Sequence, residues 1–148
     1  MSVEANREMS RRVLQLWASN HSEVAEEIVT LGYANHQMPD VEGGTSIKNL
    51  EEWKALLHAF HNAFSDVTVE ILVQVAENDH VATRWQLTAT HTGEFAGMQP
   101  SGKRVSWTGV HTDRFDDGKV AESWVEWDKY RFLDELGFLR SLSDSSTN

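Results

Sequence analysis

The chain has no cysteine in its 148 residues, which excludes thiol nucleophiles, disulfides and cysteine-ligated zinc or iron–sulfur centres. Proline is nearly absent as well, with two residues, so long helices and strands can run without interruption. No apolar run approaches the ~20 residues of a membrane span. The first residues, Met1-Ser2-Val3-Glu4-Ala5-Asn6-Arg7, lack the apolar core of a signal peptide. A cytoplasmic protein without a membrane partner is expected. Positive charge is also scarce: 13 Lys and Arg against 23 Asp and Glu give a net charge of −10. That balance argues against nucleic acid or an anionic membrane as partner, since phosphate binding needs clustered Lys and Arg. Tryptophan is what the chain has in quantity, six residues of a type that lines ligand pockets and interfaces as well as filling cores.

The length fits one domain, expected over residues 1–140, with 141–148 a disordered tail. Residues 3–18 carry Met9, Val13, Leu14, Leu16 and Trp17 on one helical stripe, with Ser2 as N-cap. A second helix is read from Ser22 to Leu31, stopping at Gly32. A short extended piece, Tyr33 to Pro39, and a Gly43-Gly44 loop lead to a third helix. Asn49 and Glu52 resemble a capping box at its start, and Trp53, Leu56, Leu57, Phe60 and Phe64 form its core stripe. From Val67 the period switches to two. Strands are expected at about 67–77, 80–92, 103–115 and 119–128, with tight turns at Asn78-Asp79 and Asp117-Gly118 and a loop over Gly97–Gly102. A short helix begins at Lys129 and ends at Gly137. Helices followed by long antiparallel strands give an α+β fold, in which helices laid on a curved sheet leave a pocket between the layers.

The strand after Asp117-Gly118 places Val120, Glu122, Trp124, Glu126 and Asp128 on one face. Carboxylates do not line up beside an indole on a plain core face, so that face either looks into a cavity or is solvated. A two-residue turn pairs Asp116 with Lys119. Continued unbroken, that register sets Trp107 opposite Asp128, Gly109 opposite Glu126, His111 opposite Trp124 and Asp113 opposite Glu122. The expected pocket wall therefore combines Asp128, His111, Trp107 and Trp124. Thr108, Val110, Thr112 and Arg114 face outward with Ala121, Ser123, Val125 and Trp127. A carboxylate desolvated between indoles is a better general base near neutral pH, and His111 could hold or protonate an enolate oxygen. The two would stand about 13 Å apart along the sheet and would not touch.

Each residue also has a plainer role. Asp128 could cap the helix at Lys129, His111 could be an ordinary cross-strand histidine, and Glu122 could pair with Arg84 or Arg114. His36 suits a pocket or a surface equally. His58 and His61 stand at i, i+3 without a third ligand, so no metal is expected.

Several motifs in order carry a family resemblance: Ala63-Phe64-Ser65-Asp66, Val81-Ala82-Thr83-Arg84, Thr90-His91-Thr92-Gly93-Glu94-Phe95-Ala96-Gly97, Ser101-Gly102-Lys103, Arg114-Phe115-Asp116-Asp117-Gly118-Lys119, Glu122-Ser123-Trp124 with Asp128, and Leu136-Gly137. From about Tyr33 to Gly137 the chain resembles the SnoaL-like polyketide cyclases. The resemblance implies the NTF2-like fold, a cone of helices on a curved, mainly antiparallel sheet around a pocket. It also implies intramolecular aldol condensation without metal or cofactor. By the same resemblance the acid–base residue is Asp128 and the enolate-supporting residue is His111. Lys129-Tyr130-Arg131 departs from the family's small apolar residues after that Asp.

The leading expectation is a cofactor-free acid–base enzyme acting on a hydrophobic cyclic carbonyl compound. Asp128 and His111 are its catalytic candidates, and Trp107, Trp124, Trp85, His36, Arg84 and His91 its substrate-binding candidates. One alternative is a non-catalytic small-molecule-binding protein, favoured if Asp128 caps the last helix and faces solvent. Another is an epoxide-hydrolase-like hydrolase, which needs Asp113, Glu122 and Arg84 all facing inward. An outward face of Val110, Val125 and Trp127 suggests a homodimer under every reading.

Overall fold

A computed structural model describes residues 2–37 and 46–139 of the chain. The first helix, α1 (Val3–Ala18), starts where Ser2 Oγ accepts from the Ala5 amide at 3.0 Å, and its apolar stripe buries Val13, Leu14 and Leu16. The second helix is shorter than its sequence suggests. A 3-10 turn over Ser22–Val24 leads into a single turn, α2 (Ala25–Ile28), and the chain then extends as β1 (Val29–Gln37). Gly32 lies inside that strand and ends no helix. Pairing with a neighbouring strand and burial of Val29 and Tyr33 override the helical preference of this stretch.

After the two-residue strand β2 (Ser46–Ile47), Asn49 caps α3 (Leu50–Ala63), its Oδ1 accepting from the Glu52 amide at 2.9 Å. Glu52 reaches back to the Lys48 amide at 2.8 Å. Four long strands follow: β3 (Phe64–Glu77), β4 (His80–His91), β5 (Arg104–Asp116) and β6 (Lys119–Trp127). A last helix, α4 (Lys129–Glu135), closes the described chain. Both expected hairpin turns are present. Asn78 has φ +53°, and Asp117 and Gly118 have φ +50° and +81°, the left-handed pair that a tight turn between twisted strands requires. The Gly43-Gly44 loop, Met38-Pro39 and the expected 141–148 tail lie outside the described residues.

The strands form one six-stranded sheet ordered β2-β1-β6-β5-β4-β3, antiparallel except for the parallel pair β1–β6. The helices cover one face. Beneath them, one core cluster centres on Tyr33, Trp53, Val81 and Phe115, and a second, more aromatic one on Phe60, Phe64, Trp85, Trp107 and Phe132. Among the described residues no helix is long and apolar enough to cross a membrane.

The register of β5 against β6 corrects the expected pocket wall. Asp116 pairs with Lys119 and Phe115 with Val120, but Arg114 pairs with Glu122, so Ala121 is an extra residue in β6. Beyond this bulge every pairing shifts by one: Asp113 meets Ser123, His111 meets Val125 and Gly109 meets Trp127. A one-residue shift exchanges the two faces of a strand. Ser123, Val125 and Trp127 therefore point inward, while Glu122, Trp124 and Glu126 point outward. The cause is electrostatic. The unbroken register would turn Glu122 and Glu126 of β6 beneath the helices and expose Val125 and Trp127, and an unpaired buried carboxylate costs several kcal/mol. The apolar outward face offered for a homodimer is corrected by the same shift, because Val125 is buried and Trp127 lines the interior.

Candidate functional site

The inward face of β4, β5 and β6 and the helices above it enclose a cavity of about 110 Å³. Its walls are aromatic, with Trp17, Phe60, Phe64, Trp85, Trp107, Trp127 and Phe132, and its polar lining comes from His111 and Gln37. No carboxylate is among the described residues that line it.

His111 stands on β5 with its side chain 3 % exposed. Trp85, on the adjacent strand, donates from Nε1 to His111 Nδ1 at 2.7 Å. With Nδ1 accepting, the neutral ring carries its hydrogen on Nε2, and that nitrogen is buried without a partner. Burial pushes the His111 pKa down to about 4, so the ring is neutral at physiological pH. The result is one buried N–H donor without a partner, on a residue that lines the cavity.

Gly109 makes this arrangement possible. It pairs with Trp85 across the β4–β5 ladder. A Cβ there would lie 2.3 Å from Trp85 Cζ2, 2.7 Å from Cη2 and 2.8 Å from the Glu126 carbonyl oxygen. Any side chain at 109 would displace the indole from His111.

Asp113, two residues on, is 1 % exposed on the same face. Its carboxylate accepts from Ser123 Oγ at 2.5 Å and from Ser10 Oγ at 2.7 Å. Burial raises its pKa to about 6, with the two hydroxyl bonds acting in the opposite direction. Tyr33 donates to Ser123 Oγ at 2.8 Å, and burial together with the Asp113 charge pushes its phenol well above the ordinary range.

The remaining sequence candidates fall elsewhere. Trp85 and Trp107 line the cavity, but Trp124, His36 and Arg84 do not. Trp124 is 38 % exposed on the outer face, stacked between His36 (ring centroids 5.5 Å apart) and His80 (6.3 Å). Glu122 bridges this layer, accepting from His36 Nε2 at 2.7 Å and from Arg114 Nε at 3.2 Å. The His36 hydrogen bond, then that of Arg114, hold its pKa below the usual carboxylate range against partial desolvation. Asp128 is exposed and caps α4, with Oδ1 accepting from the Arg131 amide at 3.0 Å. It borders an open outer groove beside Arg84 and Glu126, not the aromatic cavity. The structure thus does not bring Asp128 and His111 together.

His91 is buried at the far end of β4, stacked on Phe64, with Nδ1 accepting from the Ser101 amide at 3.2 Å; burial lowers its pKa. It does not line the cavity. The hydrolase triad does not form, since Asp113 points inward while Arg84 and Glu122 face outward. His61 is engaged as well, its Nε2 donating to the Leu16 carbonyl at 2.8 Å, and no metal-binding group of His, Asp and Glu occurs among the described residues.

Comparison with known proteins matches residues 7–136 to the SnoaL-like polyketide cyclase model. The chain belongs to that family. It is 25 % identical over 138 residues to the aklanonic acid methyl ester cyclase DnrD of Streptomyces peucetius, spanning 93 % of this chain and 90 % of that protein. The structure of AclR from Streptomyces galilaeus, a candidate hydroxylase, superposes with TM-score 0.77 at 29 % identity, covering 93 % of this chain and 87 % of that one. TsrD from Streptomyces laurentii superposes with TM-score 0.82 at 17 % identity, over 93 % and 98 % of the two chains, a likeness of fold alone. These relatives carry names of different reactions, so the chemistry has to be argued from the cavity.

Sequence reasoning missed Gln37, Trp127 and Val125 as inward residues. A usable signal was present. Val120 and Val125 are both buried yet five residues apart, an odd spacing that no unbroken strand can place on one face.

Proposed function

We propose that this chain binds a flat, largely apolar ketone in the aromatic cavity and that His111 stabilises its enol or enolate form by donating from Nε2 to the oxygen. The observation that carries this reading is the buried, unpartnered His111 Nε2, fixed as a donor by the Trp85 indole. One preorganised donor aimed at a developing oxyanion typically contributes ~10²–10³ in rate. Ring closure by aldol condensation, expected from the family, would use such an enolate.

Asp128 supports this chemistry less well than the resemblance implied. Its carboxylate is engaged in a helix cap, on the solvent side of the strand end. In this reading Asp128 holds α4, and the α-proton passes to a water molecule in the open cavity while His111 Nε2 donates to the developing enolate oxygen. The absence of a carboxylate from the described cavity lining favours a second reading, binding without turnover.

One experiment tests the role of His111 under both. The infrared carbonyl stretch of bound 1-tetralone should fall to lower wavenumber in the wild-type protein and return in His111→Leu to its position in apolar solvent. Equal stretches in the two proteins would refute it. Acceleration of α-proton exchange in 2-tetralone then separates catalysis from binding alone.

A further inference from the structure

A continuous line of side-chain hydrogen bonds runs from Asp113 to the cavity on the inward face of β5, β6 and β1. Gln37 Nε2 donates to Asn35 Oδ1 at 2.5 Å, Asn35 Nδ2 donates to Tyr33 Oη at 2.8 Å, Tyr33 donates to Ser123 Oγ at 2.8 Å, and Ser123 donates to Asp113 Oδ1 at 2.5 Å. Asn35 and Ser123 are wholly buried, as is the Tyr33 ring. An ionised carboxylate has no hydrogen to give, so it fixes the direction of every bond in the line. Ser123 must donate to it, Tyr33 must donate to Ser123, and the Asn35 amino group must turn to Tyr33. Asn35 Oδ1 is then left to meet the Gln37 amino group, and the Gln37 oxygen is turned away from the line.

Gln37 lines the cavity. It pairs with Val125 on β6, and Val125 pairs with His111 on β5. Gln37 and His111 therefore share one row of the sheet, two strand spacings or about 10 Å apart at the backbone. We infer that Gln37 Oε1 is the acceptor pole of the cavity, oriented by the Asp113 line, and that the ligand carries a hydroxyl or enol donor on the side opposite the carbonyl that His111 binds. The ligand class is thus a hydroxylated flat ketone. Asp113 and Tyr33 are positioning residues, since neither lines the cavity. This rests on the proposed role of His111 and specifies the other end of the same ligand.

The test is the dissociation constant of three probes, read by tryptophan fluorescence quenching: 1-tetralone, 6-hydroxy-1-tetralone and 6-methoxy-1-tetralone. The wild-type protein should bind the hydroxy compound about tenfold more tightly than the methoxy compound, the size of effect one buried hydrogen bond gives. Gln37→Leu should erase that preference. Tyr33→Phe, remote from the cavity, should bring it close to one while leaving the 1-tetralone constant within about twofold. Should Tyr33→Phe fail to fold, Ser123→Ala breaks the same line nearer Asp113 and gives the same reading.

A preference that survives in Gln37→Leu overturns Gln37 as the acceptor. A preference lost in Gln37→Leu but kept when the line is cut overturns the orienting role of Asp113. Equal binding of all three probes overturns the inference and leaves the His111 reading standing, because that reading is measured on 1-tetralone alone. Binding of none overturns both.

Discussion

The two faces of the β5–β6 hairpin are built from adjacent residues and behave in opposite ways. The inner face holds Trp107, His111 and Asp113 on β5 with Ser123, Val125 and Trp127 on β6; its Asp113 and Ser123 are hydrogen-bonded to each other and His111 Nε2 is buried without a partner. The outer face holds Glu122, Trp124 and Glu126, with its charged groups in water or in ion pairs such as Glu122–Arg114. One extra residue, Ala121, decides which set goes where. Chemistry that depends on a dry environment belongs to the face with fewer acids, because there a single N–H or carboxylate changes its behaviour most.

The largest expected contrast is in pH dependence. The Asp113 pKa is raised from its ordinary 3.8 to about 6, so its contribution to stability is complete below pH 4 and is lost as pH rises through 6. The His111 pKa is lowered from its ordinary 6.5 to about 4, so its contribution is complete above pH 6.5 and is lost as pH falls through 4. Each amounts to roughly 3 kcal/mol, with opposite sign over the same window. The two should nearly cancel in the wild-type protein. Urea midpoints between pH 4 and 7 should therefore fall toward acid in Asp113→Asn and rise toward acid in His111→Leu. Parallel profiles in the two variants would contradict the burial of one or both groups.

Packing should separate the faces next. Gly109→Ala forces a methyl group against the Trp85 ring and the Glu126 carbonyl and should cost about 2–3 kcal/mol. Val110→Ala, one residue away on the outer face, should change stability by about 0.5 kcal/mol. Equal losses on denaturation would show that the indole can move aside.

Asp128→Ala should cost about 1 kcal/mol through loss of the α4 cap, and Asp128→Asn much less. Neither should alter 1-tetralone affinity. The smallest effect is expected for Glu122→Gln on the outer face, below about 1 kcal/mol at moderate salt. A larger loss there would mean that the Trp124–His36–His80 layer is more than a solvated surface.

Much of the fold was legible in the sequence. The Ser2 and Asn49 caps, the two hairpin turns and the alternation in β4 and β5 are local signals that the structure reproduces. The helix read through Val29–Leu31 was not, because the parallel pairing that converts this stretch into β1 is made with a strand about ninety residues later. The site was only partly legible. His111, Trp85 and Trp107 were visible as residues. Which face His111 shared with β6 depended on a bulge, and a bulge is a non-local compromise between a turn that sets one register and apolar residues that demand the other. Gln37 carried no signal of its own, since its place is set by a hydrogen-bond line whose anchor lies on another strand.

In the proposed function the inner cavity, served by His111, is the reactive face and Asp128 is not part of it. The most direct measurement is the rate of α-deuterium exchange into 2-tetralone catalysed by the wild-type protein, His111→Leu and Asp128→Asn, side by side. A fall of about 10²-fold or more is expected for His111→Leu, with a rate within about twofold of wild type for Asp128→Asn. Loss of exchange in Asp128→Asn with His111→Leu unaffected would contradict the proposed function.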